Sequence, residues 1–338
     1  MPDREEIVLA VDIGGSKFIT GLVRKDGTIL DSKRCLWSEN KAGKGTSAEG
    51  LIADIKPAIR SLLAANPGCK PPAMGAAIPG LADPEKGLWV ESSFSGIRDL
   101  PFASIMEEEF RVPVHLDNDV RACALAERIW GCCSGNAAAG GSPAGNLRSG
   151  MESAGAVDDF LWITVSNGIG GCIFVNGKPY RGAGGNAGEI GHLIVEEGPA
   201  ARPCKAGHAG CAEMHAAGPA LVRGYLELGG NPVIGGEAAT AKSIAALARL
   251  GDKAAVAAYD MEGLYLGRAI GAAVNLLSPA MVIIGGGVSL DFDLFKPSLE
   301  KSLAAHMYQN ANPGLILRAS PLGYNAALLG AAALGFTA

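Results

Sequence analysis

The sequence lacks the features that would place it in a membrane, outside the cell or on nucleic acid. Among its 338 residues, no stretch reaches the roughly 18 apolar residues of a membrane span. Residues 1–6 are polar, and the apolar run at residues 7–11 is too short for a signal peptide. Asp and Glu (34) outnumber Lys and Arg (29), and the net charge of −5 argues against nucleic-acid or anionic-membrane partners. We therefore expect a cytoplasmic protein.

Charged residues are also scarce, at 19%, whereas 48% of the residues are hydrophobic. A chain of this length and composition can bury a sizeable core and is expected to form two domains. It has 8 cysteines, and its polar N-terminal residues are not expected to act as a leader sequence. This combination predicts reduced thiols or a metal site rather than a disulfide framework.

A strand, a glycine turn and a second strand occur in this order twice. The first copy has strands at residues 7–13 and 18–23, joined through Gly14 and Gly15, and a third strand is expected around residues 28–30. The second copy has strands at residues 160–165 and 172–175. Its turn carries Gly168, Gly170 and Gly171, and a third glycine cluster follows a strand at residues 281–284, namely Gly285, Gly286 and Gly287.

Glycine turns at strand ends let backbone N–H groups approach an anion. One such turn is weak support, because a plain hairpin uses the same residues, but two equivalent turns and a third cluster favour phosphate binding. Lys17 adds a cation directly after the first turn. The first turn does not have the spacing of a P-loop.

Other segments are predicted from periodicity and composition. We expect strands at residues 74–78 and 112–116, and helices at residues 51–63, 120–130 and 325–334. Residues 132–159 are dominated by Gly, Ala and Ser and are interpreted as a flexible insertion.

Six segments together resemble the ROK family (repressors, open reading frames and kinases) of the actin-like ATPase superfamily. They are Asp12-Ile-Gly-Gly-Ser-Lys17, Leu116-Asp-Asn-Asp119, Gly168-Ile-Gly-Gly171, Gly184-Gly-Asn-Ala-Gly-Glu-Ile-Gly-His192, Gly210-Cys-Ala-Glu213 and Ile284-Gly-Gly-Gly-Val288. The resemblance covers about residues 7–334, apart from the insertion. It implies an α/β, two-lobed actin-like (ribonuclease H-like) ATPase fold. One lobe would span residues 1–118 and be joined by the C-terminal helix at about 322–338, and the other would span residues 119–321.

The resemblance further implies an ATP-dependent sugar kinase. Such an enzyme transfers the γ-phosphate of MgATP to a hydroxyl of a hexose or hexosamine, most similar to glucose. Asp119 would be the general base, since a sugar hydroxyl needs a proton acceptor to become a nucleophile. Asp12 would hold Mg²⁺, directly or through water. ATP would lie between the lobes on Asp12, Gly14, Gly15, Ser16, Lys17, Gly168, Gly170, Gly171, Gly285, Gly286 and Gly287. An alternative role for residues 117–119 is helix N-capping, which favours the same residue types.

The residues that resemble the family's sugar ligands are Gly80, Ser93, Asn118, Asp119, Glu189, His192 and Glu213. Isolated glutamates are commonly ordinary surface charges, but Glu189 and Glu213 lie in glycine-rich turns. Ser93 departs from the pattern, because family hexokinases usually carry an Asn at the comparable position. A hydroxyl cannot replace both hydrogen-bonding groups of an amide, which leaves the identity of the sugar open.

The family's zinc motif, Cys-x-Cys-Gly-x-x-Gly-Cys after a His, is also altered. His192, Cys204 and Cys211 match it, but Ala206 replaces the middle Cys. A closed structural zinc site needs four ligands, and His208 is a candidate for the fourth. The alternative is that zinc has been lost and the two cysteines are packed thiols.

Two rival functions belong to other classes. Family repressors carry a helix-turn-helix module before the first strand, whereas here six residues precede Ile7 and the net charge is negative, which disfavours DNA binding. A sugar-sensing protein without turnover is the other rival, and Asp119 and both phosphate turns argue against it. The donor, ATP or another such as polyphosphate, is left open, and family members are often homodimers or homotetramers.

Overall fold

The computed structural model describes residues 7–38, 47–92, 94–135 and 155–337. The elements of the first part of the chain are β1 (Ile7–Ile13), β2 (Lys17–Arg24), β3 (Ile29–Leu36), α1 (Ala48–Ala65), β4 (Met74–Ile78), β5 (Leu81–Asp83), β6 (Leu88–Glu91), β7 (Arg98–Leu100), α2 (Phe102–Phe110), β8 (Val114–Asn118) and α3 (Asp119–Trp130). The remaining elements are β9 (Phe160–Val165), β10 (Ile169–Val175), β11 (Lys178–Tyr180), α4 (Ala212–Ala216), α5 (Gly218–Glu227), β12 (Val233–Ile234), β13 (Glu237–Ala238), α6 (Ala241–Arg249), α7 (Lys253–Leu277), β14 (Met281–Gly285), α8 (Phe292–His306), β15 (Ile316–Ala319) and α9 (Ala326–Phe336).

The strands and helices predicted from the sequence are present, although several ends are shifted. The third strand extends through Leu36, and the strand expected at residues 112–116 runs to Asn118. The strand expected from residue 172 begins at Ile169. The helix predicted over residues 51–63 forms with Pro57 inside it. The buried positions of that helix recur at helical spacing, so tertiary packing outweighs the local cost of proline.

One five-stranded sheet has the order β3-β2-β1-β4-β8. Strands β1, β2 and β3 are antiparallel neighbours, whereas β4 pairs parallel with both β1 and β8. The register places Asp12 beside Ala77 and Ala77 beside Asp117. The carboxyl ends of β1, β4 and β8 therefore lie at one edge of the sheet, which is where open α/β sheets bind their ligands.

The other five-stranded sheet repeats this arrangement with the order β11-β10-β9-β14-β15. Strands β9, β10 and β11 are antiparallel neighbours, and β14 pairs parallel with both β9 and β15. The strand order and directions match those of the first sheet, element for element. The duplication seen in the glycine pattern of the sequence is thus present in the topology of the two sheets.

The chain divides into two units, Met1–Gly140 with Asn325–Ala338, and Gly141–Tyr324. The sequence-based boundary between the lobes, after residue 118, differs from this division, because α3 lies in the first unit. The reason is its packing against α9, the C-terminal helix that joins this unit. Trp130 contacts Phe336 edge-on with ring centroids 6.0 Å apart, and a Cβ on Gly330 would lie 2.5 Å from the Ala122 carbonyl carbon.

The predicted insertion at residues 132–159 falls largely outside the described residues, which omit residues 136–154. At its start, the N–H of Cys132 donates a hydrogen bond of 2.9 Å to Glu127 Oε2. None of the eight cysteines, all of which lie in the described residues, forms a disulfide bond. Within the described residues, no helix combines the length and apolar character needed to cross a membrane.

Candidate active site

The first glycine turn joins β1 to β2 at the edge of the first sheet where β1, β4 and β8 end. The N–H of Gly14 donates to the Lys17 carbonyl oxygen at 2.9 Å and closes the turn. Gly15 and Ser16 are exposed at its tip. Their N–H groups have no hydrogen-bond partner among the residues that the structure describes. Unpaired backbone donors at a tight turn are suited to holding an anion.

Asn118 caps helix α3 at the end of β8. Its Oδ1 accepts hydrogen bonds from the N–H groups of Val120 (3.0 Å) and Arg121 (3.3 Å). Its Nδ2 donates to the Gly80 carbonyl oxygen (2.9 Å) and to Asp119 Oδ1 (3.1 Å). The capping alternative is therefore realised by Asn118. Its amide has donors and acceptors engaged within the protein, so a sugar contact would have to replace one of these bonds.

Asp119 follows as the first residue of α3. Its Oδ1 accepts hydrogen bonds from the Val120 N–H (2.9 Å) and from Asn118, whereas Oδ2 has no partner in the described part of the chain. Burial raises the pKa of this carboxyl to about 6, against the lowering effect of the hydrogen bonds. A carboxylate with one oxygen fixed and one available is suited to accept a proton near neutral pH.

Asp12 lies near the end of β1, two strands away from Asp119. Because neighbouring strands are about 4.8 Å apart, β1 and β8 are about 10 Å apart. The pKa of Asp12 is raised to about 7, mainly by burial and also by the charge of Asp119, against the lowering effect of the Lys17 ammonium. Within the described residues the Asp12 carboxyl has no hydrogen-bond partner. Carboxylate oxygens of this kind are the ligands that Mg²⁺ prefers.

Gly80 lies in the loop after β4 and contacts Asn118 at the start of α3. It has a φ of +93°, and a Cβ there would collide with the Glu91 carbonyl oxygen. Only glycine fits this position. The carbonyl oxygen of Gly80 accepts the hydrogen bond from Asn118, so the loop and the start of α3 are held together.

In the second unit, the turn between β9 and β10 is limited to residues 166–168. The Ser166 N–H donates to the Gly168 carbonyl oxygen at 2.9 Å. Gly170 and Gly171 lie within β10, opposite Thr164 and Ile163. Their strand position differs from the turn expected from the sequence, and the roles of both glycines in ATP binding stay predictions.

The third glycine cluster lies beside this second turn. Gly285 ends β14, and Gly286 has a φ of +87°. A Cβ on Gly286 would meet the Val165 carbonyl oxygen at the end of β9. The predicted phosphate loops around Gly168 and Gly286 are therefore neighbours within the second unit.

Glu213 contacts the second glycine turn from helix α4. Its Oε2 accepts a hydrogen bond of 3.0 Å from the Ile169 N–H. A Cβ on Gly168 would lie 2.5 Å from the same oxygen, so a larger residue there would displace the Glu213 carboxylate from this hydrogen bond. Cys211 is the residue before α4, so this short helix joins the turn to the cysteine-containing loop.

Four side chains of that loop region form a Cys/His cluster: His192, Cys204, His208 and Cys211. Their ligand atoms all lie within 4.8 Å of one another, and Cys204 Sγ is 3.7 Å from His192 Nδ1. Tetrahedral Zn²⁺, with bonds of about 2.0–2.3 Å, places its ligand atoms about 3.3–3.8 Å apart. His208 Nε2 is buried without a hydrogen-bond partner in the described structure. These residues fit a zinc ion.

The backbone around Cys204 supports this fit. The Ala206 N–H points at Cys204 Sγ at 3.5 Å, a donor that would stabilise a thiolate. The Cys204 N–H donates to the His208 carbonyl oxygen at 2.7 Å, and Gly207 has a φ of +89°. This turn folds His208 back toward Cys204, which places it as the fourth ligand candidate.

Comparison with known proteins identifies the family. Residues 8–138 and 149–337 match the sequence model of the ROK family. The chain belongs to the ROK family. The match spans both units and includes every motif segment described above.

Its ROK relatives include kinases and regulators. A glucokinase of Halalkalibacterium halodurans is 30% identical over 340 residues, which cover 95% of this chain and 92% of that protein. The DNA-binding transcriptional dual regulator NagC of Escherichia coli is 28% identical over 259 residues, 76% of this chain and 58% of the regulator. A ROK family glucokinase structure from Streptomyces griseus, in complex with glucose and AMPPNP, is 28% identical with a TM-score of 0.77, covering 98% of this chain and 100% of that one. The predicted actin-like ATPase fold is confirmed.

The two departures from the ROK pattern have different outcomes. Ser93 lies outside the described residues, so its replacement of the usual Asn stays a sequence observation. In the metal motif, Ala206 contributes no side-chain ligand, and His208 lies where it can take over the role of the missing Cys. Glu189 and His192 are exposed, and their roles as sugar ligands stay predictions.

One group at the first glycine turn was not predicted from the sequence. The indole N–H of Trp37 donates a hydrogen bond of 2.9 Å to the Gly14 carbonyl oxygen. A tryptophan after a strand is normally predicted to be a core residue. Nothing in the local sequence indicates that its hydrogen-bond acceptor lies 23 residues earlier. Only the register of β3 on β2 brings the two together.

Proposed function

We propose that this ROK protein is an ATP-dependent sugar kinase that phosphorylates a hydroxyl of a hexose or hexosamine, with glucose as the first candidate. The observation that carries the proposal is Asp119. Its Oδ2 is unpaired in the described structure, its Oδ1 is fixed by two hydrogen bonds, and its pKa is raised to about 6. The similarity to glucokinases over nearly the whole chain supports the same conclusion.

In the proposed reaction, Asp119 Oδ2 accepts the proton of the sugar hydroxyl as the oxygen attacks the γ-phosphorus. The bond from that phosphorus to the bridging oxygen breaks, and ADP leaves. The unpaired N–H groups of Gly15 and Ser16 and the Lys17 ammonium hold phosphate oxygens. Bound Mg²⁺ would neutralise phosphate charge, and Asp12 would hold it. Most of the remaining acceleration comes from positioning and charge stabilisation.

The test is ADP release from MgATP with a panel of sugars: glucose, mannose, fructose, allose, N-acetylglucosamine and N-acetylmannosamine. One sugar is expected to stimulate release strongly. Asp119→Asn should lower that rate by at least about 100-fold, the lower end of what a general base contributes. Asp26→Asn is the matched control, because Asp26 lies in the β2–β3 turn at the other end of the sheet. Polyphosphate in place of ATP tests the identity of the donor.

A sugar-responsive regulator is the second candidate, supported by the similarity to NagC. A regulator would bind sugar without turnover. The same sugar panel separates the kinase from the regulator. A sugar whose binding is detected by calorimetry, but which does not stimulate ADP release, favours the regulator.

We also propose that the Cys/His cluster holds a structural Zn²⁺ that orders the loop preceding α4. Protein purified from zinc-supplemented cells should contain one zinc ion per chain, as measured by elemental mass spectrometry. His208→Ala should lose most of it, because three ligands do not close a structural site. Adding Ala206→Cys to His208→Ala should restore zinc, since it restores the family's ligand set. Zinc-free wild-type protein would contradict this assignment.

A further inference from the structure

Trp37 lies level with the first glycine turn although it is distant from it in sequence. It directly follows β3, and Leu36 at the end of β3 is paired with Lys17 at the start of β2. The side chain of Trp37 is fully buried, at 0% exposure. Its ring stacks on Phe18, with centroids 4.5 Å apart and an angle of 28° between the planes. Trp37 is thus fixed in the core behind the turn.

From this position the indole N–H of Trp37 donates to the Gly14 carbonyl oxygen at 2.9 Å. The hydrogen bond directs that carbonyl into the interior of the first unit. A peptide group is planar, and its C=O and N–H point in opposite directions when it is trans. The described chain contains no cis peptide bond. The N–H of Gly15 must therefore point away from Trp37.

This N–H is one of the two donors, with the Ser16 N–H, that the turn offers to an anion. Gly15 is exposed, and its N–H has no partner among the described residues. The peptide lies between two glycines, which have the widest choice of backbone conformations. Without an anchor, the Gly14–Gly15 peptide could rotate and turn its carbonyl oxygen toward the phosphate. A carbonyl oxygen would repel an anion.

We propose that Trp37 is a positioning residue for nucleotide binding, which fixes the Gly14–Gly15 peptide so that the Gly15 N–H faces a phosphate of MgATP. The inference rests on the proposed kinase function and adds a residue outside the motif segments. Burial and stacking alone would explain an aromatic residue at position 37. The hydrogen bond from the indole nitrogen requires tryptophan, because the smaller aromatic ring of phenylalanine has no donor.

The test compares Trp37→Phe with Trp130→Phe. Trp130 makes the same kind of bond, from its indole N–H to the Lys25 carbonyl oxygen at 3.0 Å, but at the other end of β2. Trp37→Phe is expected to raise the KM for MgATP about tenfold, the effect of misplacing one hydrogen bond to a charged group. The KM for the sugar should stay within about twofold, as should both constants in Trp130→Phe. An increase in the KM for MgATP no larger than that of Trp130→Phe would overturn the proposal.

A binding measurement separates this proposal from the kinase assignment. If the wild-type protein phosphorylates no sugar, calorimetric titration with MgAMPPNP still tests Trp37. Weaker binding by Trp37→Phe, with Trp130→Phe unchanged, supports the positioning role, and equal affinities of all three proteins refute it.

A measurement on the wild-type protein covers the case in which Trp37→Phe does not fold. Amide exchange by NMR should show a protected Trp37 indole N–H and a rapidly exchanging Gly15 N–H. The Gly15 N–H should become protected when MgAMPPNP is added. An exposed indole N–H, or a Gly15 exchange rate unaffected by nucleotide, would overturn the proposal.

Discussion

Glu262 is a buried carboxyl group in the second unit, and its ionisation should make the stability of the protein depend on pH. It lies in α7 with 1% exposure, and neither carboxyl oxygen has a hydrogen-bond partner in the described structure. Burial raises its pKa well above the ordinary value. The folded protein therefore keeps a proton on Glu262 at pH values where the unfolded chain, with a pKa of about 4.3, has lost it.

The sign of the pH dependence follows from this difference. Stability from the protonated carboxyl is fully present below the ordinary pKa of Glu and is lost as pH rises toward the folded pKa. Between the two pKa values, the free energy of unfolding should fall by about 1.4 kcal/mol per pH unit because of this one group. Glu262→Gln removes the ionisation but keeps a polar side chain, so it should remove this slope.

Glu262→Leu separates ionisation from polarity. Below the ordinary pKa of Glu, Glu262→Gln should match the wild type, whereas Glu262→Leu should be more stable by about 1–3 kcal/mol because no unpaired polar atoms remain. Guanidinium unfolding of the three proteins across acidic to mildly alkaline pH measures both effects. Glu237→Gln is the control, since Glu237 is exposed on β13. If the difference in unfolding free energy between wild type and Glu262→Gln were the same at every pH, the raised pKa of Glu262 would be contradicted.

Three further predictions concern the first unit. The kcat/KM for the sugar should rise with pH through about 6, because Asp119 accepts a proton only when ionised; a flat pH–rate profile across the mildly acidic range would contradict this. Gly330→Ala should lower the free energy of unfolding by about 1–3 kcal/mol, because the added methyl group overpacks α9 on α3. Gly68→Ala is the control and should cause no such loss, because nothing lies within 4 Å of its Cβ position. Asn118→Ala should cost about 1 kcal/mol through loss of the helix cap, and equal thermal midpoints of variant and wild type would contradict it.

The duplicated topology could be predicted because it depends on local patterns. Each sheet begins with an apolar strand, a glycine turn and a second strand, and these patterns are visible in short windows of sequence. The position of Asp119 directly after β8 could also be predicted from a short window of sequence, the apolar strand followed by Asp117, Asn118 and Asp119. Chain length and composition also indicated more than one domain, as the two units show.

Features that depend on distant partners could not be predicted. The assignment of α3 to the first unit follows from its packing against α9, which lies about 200 residues later in the chain. The bond between Glu213 and the Ile169 N–H spans 44 residues. The fourth member of the Cys/His cluster stayed open because motif spacing does not say where a loop folds back, whereas the turn at Gly207 determines the position of His208.

The proposed kinase activity is tested most directly by detection of the phosphorylated product. Wild-type protein and Asp119→Asn would be incubated with MgATP and the sugar that best stimulates ADP release, beginning with glucose, and sugar phosphate would be measured by mass spectrometry. We predict sugar phosphate in equal amount to ADP from the wild type, and at least about 100-fold slower formation by Asp119→Asn. No sugar phosphate from the wild type, or equal rates from the two proteins, would contradict it.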